Sequence, residues 1–154
     1  SIIIYMKVFS FVRNVKVINK EFLPDLIYVD GAPTEIDKNG NIAINENKIN
    51  NVTIIWNNKA KNYADLFQNI DSIIEIDLSK FDASEVTSMH DLFSNCKKLK
   101  YINFGNINTS SVKYMSYMLF NCISLSSLDL SNLNISQVIS MQSMFEKCSL
   151  LYHP

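Results

Sequence analysis

Three cysteines, Cys96, Cys122 and Cys148, recur twenty-six residues apart, and they are the side chains whose type and spacing first suggest chemistry. Three thiols could form a disulfide, hold a metal or supply a nucleophile. If each closes a helix, successive sulfurs lie on helices roughly 8–10 Å apart, whereas a disulfide needs Cα atoms within about 7 Å. A zinc site needs four ligands, and no second ligand pair is present. A nucleophilic thiol needs a base, yet His90 falls in another column and His153 at the chain end. The expectation is therefore buried, reduced, structural thiols.

Other candidates weaken in the same way. Ser84, Ser110 and Ser136 also recur at twenty-six residues, but nothing basic stands beside them, so they read as helix N-caps. Gly31, Gly40 and Gly105 are too scattered for a dinucleotide fingerprint or a phosphate-cradling loop. Asp37, Asn39 and Asn41 surround Gly40 as in a calcium loop, but the glycine is fourth instead of sixth and the closing Glu is missing. A hairpin turn is expected there. No catalytic residue, metal site or cofactor is assigned.

The elements that must position these residues follow from a repeat. The chain has 154 residues, 47% apolar and 19% charged, with a formal net charge of −1. That suits a packed domain and gives no field to gather nucleic acid or anionic lipid. Aligning Leu66, Leu92, Met118 and Met144 brings further columns into register: Ile76, Ile102 and Leu128; Leu78, Phe104 and Leu130; Val86, Val112 and Val138; Met89, Met115 and Met141. The first part of each unit alternates, as a short strand does. The second part, Val112, Met115, Met118, Leu119 and Cys122, steps by threes and fours, which predicts a helix. The methionine column reads as core filler. One unit has nothing to cover its apolar strip, so the pattern predicts an α/β solenoid of stacked strand-turn-helix units.

Two domains are expected. Residues 58–154 form about three full repeats and a truncated last one. Residues 1–57 lack the register and read as a small antiparallel β unit capping the stack, with runs at Ile2 to Phe11, Leu26 to Val29, Asn41 to Ile44 and Val52 to Trp56. The start at Ser1 and the stop inside a unit at Tyr152, His153 and Pro154 suggest a fragment of a longer protein, with self-association possible through an uncapped C-terminal repeat.

The units "MHDLFSNCKKLKYINFGNINTSSVKYM" and "MLFNCISLSSLDLSNLNISQVISMQSMFEKC" resemble the BspA-like surface-protein repeat, a branch of the leucine-rich repeats, over about residues 60 to 152. The resemblance implies a non-enzymatic adhesion or recognition module at the cell surface or secreted. An intracellular leucine-rich-repeat scaffold for protein–protein interaction is the alternative.

The expected binding surface is the strand face turned away from the core. Alternation around Ile76, Ile102 and Leu128 turns Glu75, Asp77, Tyr101, Asn103, Ser127 and Asp129 outward. Tyr101 is the leading contact residue, as an aromatic among small polar neighbours. A protein or cell-surface ligand is the expected partner, with no nucleic acid and no integral membrane segment.

Overall fold

The computed structural model describes residues 2–151, so Ser1 and the terminal Tyr152, His153 and Pro154 lie outside it. Eight strands are present among the described residues: β1 (Ile2–Phe9), β2 (Asn14–Lys16), β3 (Leu26–Val29), β4 (Ala32–Pro33), β5 (Asn41–Ala43), β6 (Ile49–Trp56), β7 (Ile73–Asp77) and β8 (Tyr101–Asn103). The longest two, β1 and β6, carry the strictest alternation. Ile2, Ile4, Met6 and Val8 are buried on one face of β1, and Asn50, Val52, Ile54 and Trp56 on the same face of β6. Burying each large aliphatic side chain contributes about 1.5–3 kcal/mol. That fixes which face meets the core, because a one-residue slip would reverse it.

Six strands form one mixed sheet in the order β4-β3-β6-β1-β7-β8. β1 lies antiparallel between β6 and β7, while β7 and β8 run parallel. A second, small sheet pairs β2 with β5. Next to it, Ile36 bridges Ile42 across a turn in which the Gly40 amide donates to the Asp37 carbonyl at 3.0 Å. Gly40 has φ +84°, and a Cβ there would stand 2.0 Å from the Ile18 carbonyl oxygen, so the turn requires glycine.

The α/β solenoid of strand-turn-helix units is not the fold. Among the described residues there is no α-helix, only one 3₁₀ turn at Lys20–Phe22, and the strands gather in the mixed sheet. The segments expected to be helical are runs of tight turns. Each contains two residues with left-handed backbone four positions apart: Asp65 and Asn69, Asp91 and Asn95, Tyr117 and Asn121, Ser143 and Lys147. A right-handed helix cannot pass through a φ near +60°. The hydrogen bonds agree. Leu92, Ser94 and Cys96 each donate to the carbonyl three residues back, while the alternate amides of Met89, Asp91, Phe93 and Asn95 donate to Tyr114, Ser116, Met118 and Phe120 of the following unit. Backbone donors that a helix would use along its own axis are spent between units.

The twenty-six-residue interval reappears in these contacts. Parallel bridges join Asn62 to Ser88, Ser88 to Tyr114, and Tyr114 to Ser140. Consecutive tight turns bury side chains at steps of three and four, as a helix does. Met89, Leu92, Phe93 and Cys96 are all buried, as are Met115, Met118, Leu119 and Cys122. Phe67 and Phe93 stack with centroids 5.5 Å apart. The serines expected as N-caps have no helix to cap. Ser84, Ser110 and Ser136 instead donate their amides to the side chains of Asp82, Asn108 and Asn134 two residues earlier, closing Asx-turns.

The amino-terminal strands and the repeats share a single core. Asn19 donates its amide to Leu66 at 3.1 Å, Ser72 Oγ donates to Lys16 at 2.6 Å, and Phe22 stacks on Tyr63. Trp56 Nε1 donates to the Phe22 carbonyl at 2.9 Å. Tyr63 takes the place of methionine in the repeat column. It is buried, with its hydroxyl accepting the Ala60 amide.

Candidate functional site

Because Ile4 and Met6 of β1, Val52 and Ile54 of β6, Ile76 of β7 and Ile102 of β8 are buried in the core, the alternate residues project from the outer face of the sheet. The register sets them in two rows. Thr53, Tyr5, Asp77 and Asn103 lie side by side across β6, β1, β7 and β8, and Asn51, Lys7, Glu75 and Tyr101 form the next row. The β-bulge between Lys7 and Val8 interrupts the β1–β7 pairing at the end of the second row. Between the rows lies an open groove of about 290 Å³ lined by all eight of these residues. Four of the six expected contact residues, Glu75, Asp77, Tyr101 and Asn103, therefore converge there. Ser127 and Asp129 do not line it. Ser127 and Asp129 are exposed and residues 127–129 form no strand, while Leu128 packs partly against the core, and the Asp129 carboxylate accepts the Ser131 amide at 2.9 Å.

The polar groups are held in place. Asp77 accepts the Ser79 amide at 2.7 Å and the Asn103 side-chain amide at 3.2 Å, while Asn103 accepts the Gly105 amide at 2.9 Å. Burial raises the Asp77 carboxyl, but the hydrogen bonds from Ser79 and Asn103 outweigh it and hold the group below the ordinary carboxylate range. Lys7 Nζ meets Glu75 at 2.8 Å. Both side chains of that pair are well exposed, so it is worth about 0–1 kcal/mol and opens readily. Tyr5 and Tyr101 are 43% and 50% exposed, which leaves their rings free to contact a ligand. Gly105 lies two residues beyond Asn103, outside the groove lining. Its φ is +53°, and a Cβ would approach the Ser79 Cα to 2.8 Å, so neighbouring units close up only with glycine there.

The cysteine column has a different environment. Cys96, Cys122 and Cys148 are free and buried, and their thiols donate to the carbonyls of Phe67, Phe93 and Leu119 in the preceding unit at 3.0, 3.1 and 2.9 Å. Burial pushes the Cys122 thiol up to about 12, and raises Cys96 and Cys148 as well. Such thiols hold almost no thiolate near neutrality. The helix-spacing argument for keeping them apart loses its basis with the helices, and each thiol's own carbonyl partner takes its place. His90 meets Asp91 at 2.8 Å and packs edge-on against Tyr117, while His153 lies outside the described residues.

Tyr5, Lys7, Asn51 and Thr53 are not among the expected contact residues, because alternation alone does not say that β1 and β6 pair beside β7. The signal was present, since the alternation of Ile2–Phe9 and Ile49–Trp56 already turns these four side chains away from the apolar face. Among the described residues no three His, Cys, Asp or Glu side chains gather closely enough to hold a metal ion. No described helix is long and apolar enough to cross a membrane.

Neither a curated protein nor a solved structure matches the chain. A family model does, over residues 41–154, which is well over half of the sequence and includes β5 to β8. Its description is "Mycoplasma protein of unknown function, DUF285", and the chain belongs to that family.

Proposed function

We propose that the chain is a non-enzymatic recognition or adhesion module of a cell-surface or secreted protein, and that it binds through the outer face of the six-stranded sheet. The observation that carries the reading is the groove. Two exposed tyrosines and a set of fixed polar side chains surround a concavity on a face that the core does not use. Aromatic residues at a desolvated centre with a polar surround are the usual composition of a recognition surface. Placement at the surface or outside the cell rests on the resemblance of the repeat to those of surface proteins. Its ligand on this reading is a component of another cell or protein surface.

Adhesion of beads coated with the full chain to animal epithelial and bacterial cells tests the reading. Tyr101→Ala should lower adhesion about tenfold, the loss of one hot-spot side chain, while Asp129→Ala, outside the groove, should leave it unchanged. Equal adhesion by the wild-type chain and Tyr101→Ala would remove the groove from the function, and no adhesion by any form would remove the function itself.

A further inference from the structure

The floor of the groove excludes one common mode of recognition. β6, β1 and β7 are each flanked by strands on both sides, so their main-chain groups are already paired within the sheet. An extended peptide therefore cannot add to β6, β1 or β7, and a ligand lying over these three strands is read by their side chains. Among those side chains only the Asp77 carboxylate carries a charge with no opposite charge beside it in the groove. Glu75 is matched by Lys7, and Asp77 is held by amide donors from Ser79 and Asn103. A chain with a net charge of −1 adds no long-range field for an ionic partner.

What remains is a combination of flat aromatic faces and fixed hydrogen-bonding groups with one carboxylate, which disfavours an anionic ligand. Tyrosine offers a rigid, amphipathic ring at low entropic cost. The carboxylate of Asp77 and the hydroxyl of Thr53 can accept from ligand hydroxyls, and the amide of Asn51 can both donate and accept. A neutral sugar matches this set: its ring has an apolar C–H face to lie on an aromatic ring and hydroxyls around its edge. Asp77 is held ionised, so it serves as an acceptor and not as an acid toward a glycosidic bond.

We propose that the groove between Tyr5 and Tyr101 binds a neutral glycan, with sugar rings against the two tyrosines and hydroxyls paired to Asp77, Asn51 and Thr53. This rests on the groove being the recognition site. Tyr5 and Tyr101 are two strands apart and offset by two residues in register. At the usual strand spacing and rise, that separates their Cα atoms by roughly 12 Å. An oligosaccharide, not a single ring, engages both.

The test titrates the full chain with neutral linear hexasaccharides, cellohexaose, mannohexaose and chitohexaose, by calorimetry and saturation-transfer NMR. At least one should bind saturably, with an affinity insensitive to salt. Tyr5→Ala and Tyr101→Ala should each weaken it about tenfold, while Tyr101→Phe, which keeps the ring, stays within about twofold of wild type. Both tyrosines are exposed, so these variants fold. Absence of binding by all three sugars, or binding indifferent to both alanine substitutions, overturns the proposal. A parallel arm strips the target cells with glycosidases before the bead assay. If adhesion survives stripping but is lost with Tyr101→Ala, the ligand is a protein: the glycan assignment falls and the recognition reading stands. If adhesion is lost on stripping and with Tyr101→Ala, both stand.

Discussion

Each thiol of the cysteine column ends on a carbonyl of the unit before it, and this sets both its packing and its reactivity. A buried thiol with a raised pKa is a poor nucleophile because the thiolate, the reacting species, is scarce and inaccessible. Cys96 and Cys122 are completely enclosed, whereas Cys148 retains 8% exposure. In the folded chain at mildly alkaline pH, iodoacetamide should leave Cys96 and Cys122 unmodified, with Cys148 reacting first. In denaturant all three should react at one rate. Mass spectrometry of the modified peptides reads the order, and rapid native labelling of Cys122 would mean that the units do not close over one another.

At the scale of the element, the test is the sign of a substitution. Asn121 has φ +59°, donates its backbone amide to Glu146 and its side-chain amide to Asn95 at 2.8 Å. Alanine is the best helix former, so in a helix Asn121→Ala would stabilise by some tenths of a kcal/mol. In a left-handed turn it should destabilise by about 1–2 kcal/mol, from backbone strain alone, with the lost amide bond in addition. Asn121→Gly relieves the strain and should fall between alanine and wild type. Urea unfolding of the three proteins decides it. The same position shows why helices seemed legible. Val112, Met115, Met118, Leu119 and Cys122 step by threes and fours, but so does a succession of three-residue turns. The distinguishing signal is the Asn or Asp at 65, 69, 91, 95 and 121, residues that tolerate left-handed backbone. Strand residues were easier to read. Ile76 and Ile102 fix which neighbours face outward, so Glu75, Asp77, Tyr101 and Asn103 could be placed on one face from alternation. Tyr5, Lys7, Asn51 and Thr53 reach the same groove only because β1 inserts between β6 and β7, a pairing between distant segments that leaves no local mark in the sequence.

Across the whole molecule, carboxylates close turns in almost every segment, and their protonation couples the fold to pH. Asp82 is held well below the usual carboxylate range, first by Lys59 and then by Ser84. Asp37 is lowered by Asn41, Asp30 by the Asn51 amide, and Asp129 by Ser131. Asp77 is lowered as well, its hydrogen bonds overcoming its burial. A carboxyl whose folded pKa lies below its unfolded value near 3.9 contributes stability that is complete above that value and is lost as pH falls toward the folded pKa. Asp65 acts in the opposite sense. Burial, then the neighbouring Asp91, raises its pKa, so its contribution is full at low pH and is lost as pH rises through the raised value. Five lowered groups outweigh one raised group. The melting temperature should therefore hold steady near neutrality and fall steeply below about pH 4, where these carboxylates begin to protonate. Asp82→Asn should lower the neutral melting temperature and shallow the acid decline, because the variant has lost one of the groups that titrates. Melting curves of both proteins from neutral to acid pH check this, and an acid decline of equal depth in the two would show that the Asp82 turn does not couple folding to protons.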